Sequence, residues 1–334
     1  MSARPWALAL LAGLLGSRET AALAAPAPLA ETQVVPLPGV QRRIDHLAVD
    51  VQGRRLFVAA LGNGTLEVLD LAGGKRVRSV GGLEEPQGVA YLPALHRVVV
   101  ATTGGSLVSY DDAELKPVAT VSHLDDADNL RVDAKARLLY LGYGDGALAF
   151  FDPATLQRVG EVKLPGHPES FRLEADGPRI FVNVPRTREV LVVDRDRRAI
   201  TSHIALGGLF SRNYPMYLDE THHRLFVGVR WPARLLVFDT GSGKRLAALP
   251  CVGDTDDLFY DARRDRVYVI GGEGFVDVFD ASPAGKYGLL AHILTRGGAR
   301  TGLWSEELGQ LFVAWPARSG QEAAIHVLRA VDGK

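Results

Sequence analysis

Sulfur is almost absent from the sequence. Of 334 residues, one is a cysteine, Cys251, and two are methionines. A lone cysteine cannot form an internal disulfide, and a zinc site built on several thiolates is excluded as well. The fold must therefore be stabilised by packing. Cys251 lies in the apolar stretch 249–252, which predicts a small buried hydrophobic side chain.

An excess of charge of one sign is also lacking. Lysine and arginine number 38 against 39 aspartates and glutamates, so the formal net charge is −1. The chain has no run rich in lysine and arginine of the kind that nucleic acids and anionic membranes attract. These absences exclude nucleic acid as a partner.

Common catalytic motifs are missing too. The sequence has no nucleophile elbow, no phosphate-cradling glycine loop, no His-x-x-Glu-His-type zinc motif and no cluster of cysteine and histidine. No convincing amphipathic helix is apparent either. Any chemistry must come from residues that the fold brings together from distant parts of the chain.

The first residues differ from the rest. An apolar run covers residues 6–15 and is followed by Ala22-Leu23-Ala24, a small-x-small pattern typical of signal-peptide cleavage. The run is too short to span a bilayer, which needs about 20 apolar residues. We predict a signal peptide at 1–24, a linker at 25–31 and one domain at 32–334, periplasmic or secreted, with no membrane span after cleavage. The alternative is a buried N-terminal helix.

Two series of residues recur along the rest of the chain with a period of about 42 residues. An aspartate ends a short apolar segment at six positions: Asp70, Asp111, Asp152, Asp194, Asp239 and Asp280. An arginine or glutamine begins an apolar segment at seven: Arg55, Arg97, Arg137, Arg179, Arg224, Arg266 and Gln310. Because both series keep one phase, they indicate seven copies of one unit.

Each unit contains four short segments rich in Val, Leu, Phe and Tyr, separated by Gly, Asp or Asn turns such as 62–64. Four strands in about 42 residues is the size of a propeller blade. The sequence thus predicts an all-β fold, a seven-bladed β-propeller with four antiparallel strands per blade. The seventh unit has no fourth strand after its third strand at 324–328. The segment 33–39, upstream of the first unit, belongs to no unit and resembles in sequence the fourth strand of the third unit, 160–166. We therefore predict that the N-terminal strand completes the last blade and closes the ring.

The units resemble the YVTN-type β-propeller repeat, as in residues 56–70 with the turn Gly74-Lys75-Arg76 that follows. The resemblance covers essentially the whole chain after the predicted signal peptide. It implies a propeller and an exported protein. It implies no particular activity, because proteins of this type do not share one.

Alignment of the predicted first strands places oxygen-bearing side chains at one mouth of the channel. They are five carboxylates and two carboxamides: Asp45, Asp128, Glu169, Asp256, Asp257, Asn129 and Asn213. Ca²⁺ and Mg²⁺ prefer such ligands, so we predict Ca²⁺ or another divalent cation as a candidate cofactor. The alternative is a wet polar mouth without an ion. Arg300, at the same level, could neutralise a neighbouring carboxylate by itself.

Loops after the second strands carry aromatic residues and arginines. Trp231-Pro232-Ala233-Arg234 is repeated as Trp315-Pro316-Ala317-Arg318, and Arg186 and Arg188 lie on a third such loop. Together with Arg300, these residues are candidates for binding an anionic or carboxylate-bearing ligand, because arginine binds carboxylates bidentately and tryptophan offers a flat apolar surface. The alternative is that Trp-Pro only rigidifies each loop.

Two histidines are candidate catalytic bases. His46 adjoins Asp45, and His167 precedes Pro168-Glu169, so each has a carboxylate nearby, as acid–base chemistry requires. Adjacent residues of a strand face opposite ways, so His46 and Asp45 cannot both point into the channel. A non-catalytic role remains the alternative for both.

These observations favour an exported, monomeric binding module that captures a small ligand or a loop of a partner protein at one channel mouth. The alternative is a divalent-metal-dependent lactonase. Regucalcin, gluconolactonase and paraoxonase propellers hold a cation with Glu, Asn and Asp ligands, and Glu169, Asn129, Asn213 and Asp257 are similar in kind. A third reading is an assembly scaffold, which predicts broad apolar patches on the rim.

Overall fold

The computed structural model describes residues 27–282 and 285–332. The predicted signal peptide at 1–24 lies outside these ranges. Within them the chain forms 28 strands, two 3₁₀ turns at Leu61–Asn63 and Pro93–Leu95, and no α-helix, so it offers no helix that could cross a membrane.

The strands form seven four-stranded antiparallel sheets over the described ranges. Blade 1 contains β2 (Leu47–Asp50), β3 (Arg55–Ala60), β4 (Thr65–Asp70) and β5 (Lys75–Val80). Blade 2 contains β6 (Pro86–Leu92), β7 (Arg97–Thr102), β8 (Ser106–Asp111) and β9 (Pro117–Val121). Blade 3 contains β10 (Leu130–Asp133), β11 (Leu138–Tyr143), β12 (Ala147–Phe151) and β13 (Arg158–Lys163). Blade 4 contains β14 (Phe171–Leu173), β15 (Arg179–Val184), β16 (Glu189–Asp194) and β17 (Ala199–Ala205). Blade 5 contains β18 (Ser211–Asp219), β19 (Arg224–Trp231), β20 (Ala233–Asp239) and β21 (Arg245–Pro250). Blade 6 contains β22 (Thr255–Asp261), β23 (Arg266–Gly271), β24 (Phe275–Asp280) and β25 (Leu289–Leu294). Blade 7 contains β26 (Gly302–Ser305), β27 (Gln310–Trp315), β28 (Ala323–Ala330) and β1 (Leu29–Leu37).

The first strands of the blades surround the central axis. Each contacts the first strand of the next blade, from β2 through β6, β10, β14, β18, β22 and β26 back to β2. The second and third strands are mostly buried, whereas the fourth strands are largely exposed. The predicted seven-bladed β-propeller is therefore confirmed.

The N-terminal strand closes the ring, as predicted. β1 pairs with β28 as the outer strand of blade 7, in the order β1-β28-β27-β26. The strand begins at Leu29, three residues before the predicted domain boundary and inside the predicted linker. Leu29 pairs with Ala330 and is only 4 % exposed, so its burial extends the strand toward the N-terminus.

The core consists of apolar layers between neighbouring blades. One layer joins Tyr140 and Phe150 of blade 3 to Ile180 and Leu191 of blade 4. The layer at the closing seam contains Val35 of β1 together with side chains of blades 1 and 7. Because each blade covers the apolar face of the next, no blade is expected to be stable alone.

The arginines that begin second strands tie neighbouring blades together. Arg179 of blade 4 donates to the Thr240 carbonyl of blade 5 over 2.6 Å, and Arg266 of blade 6 donates to the Val331 carbonyl beside blade 7, also over 2.6 Å. Arg55 and Arg224 make the same contact with the Asp112 and Ala281 carbonyls. Four of the six recurring arginines of the sequence thus form inter-blade contacts on the face opposite the predicted site.

The acids at the ends of first strands lie on that opposite face. The Asp50 carboxylate accepts the Gly53 N–H over 2.9 Å and that of Asp133 accepts the Ala136 N–H over 2.8 Å. These carboxylates hold the turns between strands one and two.

Candidate functional site

A polar cavity of about 230 Å³ occupies one mouth of the channel, and we call it the mouth chamber. Acidic, basic and neutral polar side chains form its lining: Asp126, Asp128, Glu169 and Asp256; Arg43, His46, His167 and Arg230; Gln87, Asn129, Ser170 and Tyr214. Three of these, Asp128, Glu169 and Asp256, were predicted from the sequence to lie at one mouth of the channel, and Tyr214 joins them. The ring geometry brings them together from four different blades.

Backbone contacts hold the acidic residues of the chamber in place. Asp128 and Asn129 precede β10 and exchange two hydrogen bonds of 3.1 Å with Gly142 at the end of β11. Gly88 of the neighbouring blade lies directly against this segment, because a Cβ atom added there would stand 1.9 Å from the Asp128 carbonyl oxygen. The Glu169 N–H donates to the Asn183 carbonyl over 3.0 Å. The carboxylates are therefore presented by a rigid backbone.

Two arginines neutralise part of the acidic charge. Arg43 Nη2 lies 2.8 Å from Asp45 Oδ2, although not in hydrogen-bonding geometry, and donates to Asp256 Oδ2 over 3.3 Å. Arg230 also donates to Asp256 and stacks on Tyr214, 3.8 Å from the ring centroid. Asp45 is fully buried and does not line the chamber. Its burial raises the pKa of its carboxyl to about 7, although His46 and Arg43 oppose the shift.

His46 lies among three carboxylates at the inner end of the chamber. Its Nε2 is 3.6 Å from Asp128 Oδ1 and 3.7 Å from Asp45 Oδ1, and its Nδ1 is 3.4 Å from Asp257 Oδ2. Burial lowers the pKa of His46, but the neighbouring carboxylates of Asp257, Asp128 and Asp45 raise it further, to well above the ordinary value. This environment favours an imidazolium, which is the wrong state for the predicted general base.

One group of side chains in the chamber has the composition of a cation site. Asp128, His167 and Glu169 each offer a ligand atom, and these atoms lie within 4.8 Å of one another. His167 Nδ1 donates to the Gly144 carbonyl over 2.7 Å, which leaves Nε2 as the ring nitrogen with a free lone pair. Metal-binding histidines are commonly oriented by such a hydrogen bond.

The carboxylates of this group are compensated only in part. Burial raises the pKa of Asp128, but His46, 3.6 Å from its Oδ1, lowers it further, to below the ordinary value. Asp128 is only 7 % exposed, and its Oδ1 has no hydrogen-bond partner in residues 27–282 and 285–332. Burial and the charges of Asp128 and Asp256 hold the pKa of the Glu169 carboxyl well above its usual range. Buried polar atoms are normally hydrogen-bonded, so an orphan oxygen that faces a cavity indicates capacity for a ligand.

The other predicted metal ligands lie elsewhere or have other partners. The Asn129 amide donates to Asp128 Oδ2 over 3.1 Å. Asp257 accepts the Gly302 N–H over 2.9 Å and does not line the mouth chamber. Asn213 is fully buried and donates to the Asn183 amide oxygen and the Glu189 carbonyl, both over 2.9 Å. Although Asn213 Oδ1 has no partner among the described residues, Asn213 lies outside the lining of the chamber.

The seven residues predicted to bind an anionic ligand also lie outside the lining of the mouth chamber. Arg300 pairs with Asp254 through two contacts of 3.0 and 2.9 Å. Trp315 stacks on His326 with ring centroids 3.4 Å apart, so it packs within the protein. Trp231 is 66 % exposed. The remaining members, Arg186, Arg188, Arg234 and Arg318, do not converge on a common cavity with these residues.

The sequence reasoning missed Arg43, Asp126 and Arg230. Arg230 directly precedes Trp231, and successive strand residues face opposite sides. That alternation could have identified Arg230 as the member of the pair that turns to the chamber. Cys251 was predicted to be a small buried hydrophobic side chain; it is partly buried, and its burial raises the pKa of its thiol.

Comparisons with known proteins support the fold alone. No family model matches the chain, and no curated protein matches its sequence. Hydrazine synthase of Kuenenia stuttgartiensis is similar in structure, with a TM-score of 0.75 and 14 % identity over 88 % of this chain and 99 % of that one. The β-propeller domain of Myceliophteria thermophila Cps50 (Swd1) has a TM-score of 0.72 and 11 % identity over 91 % of this chain and 100 % of that one. At such identities, function does not transfer with the fold.

Proposed function

We propose that this protein is an exported binding module that captures a small ligand, or a loop of a partner protein, through a divalent cation in the mouth chamber. Asp128, His167 and Glu169 hold the cation. A carboxylate or another oxygen donor of the ligand completes its coordination.

The proposal rests on Asp128, which lines this chamber and whose buried Oδ1 has no hydrogen-bond partner in the described part of the chain. A cation would give that oxygen a partner. It would also relieve the repulsion between Asp128 and Glu169. Arg43, beside Asp45, and Arg230, which donates to Asp256, offset this repulsion only in part.

The ligand set refines the choice of metal. An all-oxygen site would suit Ca²⁺ or Mg²⁺, as predicted from sequence. His167 contributes an imidazole, which favours Zn²⁺ or Mn²⁺ over Ca²⁺. We therefore expect a transition metal to bind more tightly than Ca²⁺.

Metal analysis of the purified protein, followed by calorimetric titration of the chelator-treated protein with Zn²⁺, Mn²⁺ and Ca²⁺, tests the proposal. Asp128→Asn and His167→Ala should each weaken binding by about 100-fold or more. His203→Ala is the matched control, because His203 is exposed on β17 and pairs with Glu189 over 3.2 Å. The proposal is contradicted if none of the three ions binds, or if Asp128→Asn binds the metal as tightly as the wild type does.

The hydrolase alternative is supported by a single feature. Three protein ligands leave open positions on a bound cation, as in catalytic metal sites, where the ion polarises a carbonyl oxygen. Against it, Asn213 lies outside the chamber, and the carboxylates around His46 raise its pKa, which disfavours His46 as a base. A screen of simple lactones with the metal-loaded protein separates the two functions, since a pure binding module hydrolyses none.

Export is part of the proposal and is supported by the pattern at residues 1–24. N-terminal sequencing of the protein recovered outside the cytoplasm should begin near residue 25. Recovery from that fraction of a chain that still carries residues 1–24 would contradict export by a cleaved signal peptide.

A further inference from the structure

A second cavity, of about 280 Å³, lies along the channel beyond His46, and we call it the inner chamber. His46 lines both chambers. The first strands form the walls, and residues such as Leu130, Arg131 and Val132 follow the mouth residues Asp128 and Asn129 along the chain. Val132 is 39 % exposed, so solvent reaches this chamber.

Two arginines line the inner chamber without a carboxylate partner. Among the described residues, no carboxylate oxygen lies within 4.0 Å of a guanidinium nitrogen of Arg131 or Arg172. Arg131 donates to neutral acceptors: the carbonyls of Phe171 and Leu130, the Asn129 amide oxygen and the Ser170 hydroxyl. Elsewhere in the chain, Arg55, Arg179 and Arg224 all pair with acids.

Arg172 has the larger unused capacity. Its Nε donates to the Met216 carbonyl over 2.9 Å, and its guanidinium lies over Tyr217, 4.6 Å from the ring centroid. The two Nη atoms, which carry four N–H groups, make no hydrogen bond with the described residues. Stacking on Tyr217 keeps the planar fork oriented, as bidentate recognition of a carboxylate requires.

The electrostatic balance of the inner chamber is positive. Arg131 and Arg172 face one carboxylate, Asp257, which already accepts the Gly302 N–H and lies 3.4 Å from His46 Nδ1. Burial lowers the pKa of both arginines, and the charge of Arg172 contributes to lowering that of Arg131 to about 9. An anion would relieve this repulsion.

The remaining wall is apolar. Leu47, Val49, Val89, Leu130, Phe259 and Leu303 contribute to it. The volume equals that of about nine liquid waters, which is at the small end of ligand pockets. Charge and apolar surface together favour an organic anion over an inorganic one.

We propose that the inner chamber is a binding site for a small organic monocarboxylate, with its carboxylate on Arg172 and Arg131 and its apolar body against the aliphatic wall. The site does not depend on the cation of the mouth chamber. It is also distinct from the loop arginines predicted from sequence.

Calorimetric titration with benzoate in the presence of EDTA tests this site apart from the metal proposal. Benzoate should bind, whereas benzyl alcohol and benzylamine, which have the same ring without the negative charge, should not. Inorganic phosphate should bind at least about tenfold more weakly than benzoate, because it lacks the apolar body. Equal or tighter binding of phosphate, or no binding of benzoate, overturns the proposal.

Variants locate the site. Arg172→Met should weaken benzoate binding by about 10- to 100-fold, and Arg172→Lys by less, since lysine keeps the charge but not the fork. Arg318→Met is the matched control at a sequence-predicted arginine outside the chamber and should bind as the wild type does. If Arg172→Met fails to fold, Val132→Trp places a bulky group in the chamber from a partly exposed position and should also block binding. Unchanged affinity in either a folded Arg172→Met or Val132→Trp variant contradicts the proposal.

Discussion

The two faces of the ring use the same residue types, aspartate and arginine, with different results. On the face opposite the mouth, Asp219 and Arg224 have side chains that are 3 % and 4 % exposed, and Arg224 donates to Asp219 Oδ2 through Nε and Nη2 over 2.9 and 2.6 Å. The third nitrogen donates to the Ala281 carbonyl of the next blade. In the mouth chamber, Asp128 is similarly buried, yet its Oδ1 has no hydrogen-bond partner in the described ranges and only His46 Nε2 nearby, at 3.6 Å.

This difference separates charges that stabilise the ring from charges that are available to a ligand. A buried pair with complete hydrogen bonding has no capacity left for another molecule. A buried carboxylate that keeps an unpaired oxygen destabilises the fold, so its presence in a cavity favours a functional role. Burial and residue type are the same on the two faces, and the hydrogen-bond partners distinguish them.

The largest effect is expected from breaking a pair on the opposite face. Arg224→Met should lower the free energy of unfolding by about 3–5 kcal/mol, because Asp219 is then buried without its counter-ion and the contact with blade 6 is lost. Equilibrium denaturation measures the change. Arg186→Met, on an exposed loop, is the control and should stay within about 0.5 kcal/mol of the wild type. Similar values for the two variants would show that the opposite face does not depend on its ion pairs.

A smaller effect of opposite sign is expected in the mouth chamber. Glu169→Gln should raise the stability of the metal-free protein by about 1 kcal/mol, because it removes a buried carboxylate that the charges of Asp128 and Asp256 repel. For a protein of this size the melting temperature should rise by about 2 °C. Calorimetry of the chelator-treated protein measures the shift.

Glu161→Gln provides the control for that measurement. The Glu161 carboxylate accepts hydrogen bonds from Tyr143 and from Arg158, the latter over 2.9 Å, so its replacement should leave stability unchanged or lower it. A loss of stability in Glu169→Gln would mean that Glu169 stabilises the mouth rather than straining it.

The fold was accessible from sequence because its determinants are periodic. The recurring aspartates and arginines mark the same positions in successive blades, and the spare N-terminal segment matched a missing outer strand. Exact strand limits were less accessible. β1 reaches back to Leu29 because packing against blades 6 and 7 buries that side chain, and local composition contains no sign of this contact.

The candidate site was predictable only where the repeat determines position. Asp128 and Glu169 occupy equivalent positions at the entry to first strands, so alignment placed both at the mouth. Loop arginines such as Arg234 and Arg318 follow no such rule, because loop length and direction vary between blades. Arg131 and Arg172 lie inside first strands, and only the three-dimensional structure shows that they lack carboxylate partners among the described residues.

The smallest expected effect is a difference in acid sensitivity on the opposite face. Burial raises the pKa of Asp112, but hydrogen bonds from Tyr91 and Arg55 lower it further, so the folded pKa lies below the ordinary value of 3.8. A depressed pKa contributes stability that is present above the unfolded pKa and is lost as the pH falls below about 4. Stability measured between pH 6 and pH 3 should therefore decline less steeply in Asp112→Asn than in the wild type. Asp145→Asn is the control, because Asp145 is an exposed turn residue whose carboxylate has no hydrogen bond or ion pair among the described residues. Identical pH profiles for Asp112→Asn and the wild type would show that the contact of Asp112 with Arg55, between blades 2 and 1, contributes no stability as an ion pair. The contrast between the two faces would then rest on the Asp219–Arg224 pair.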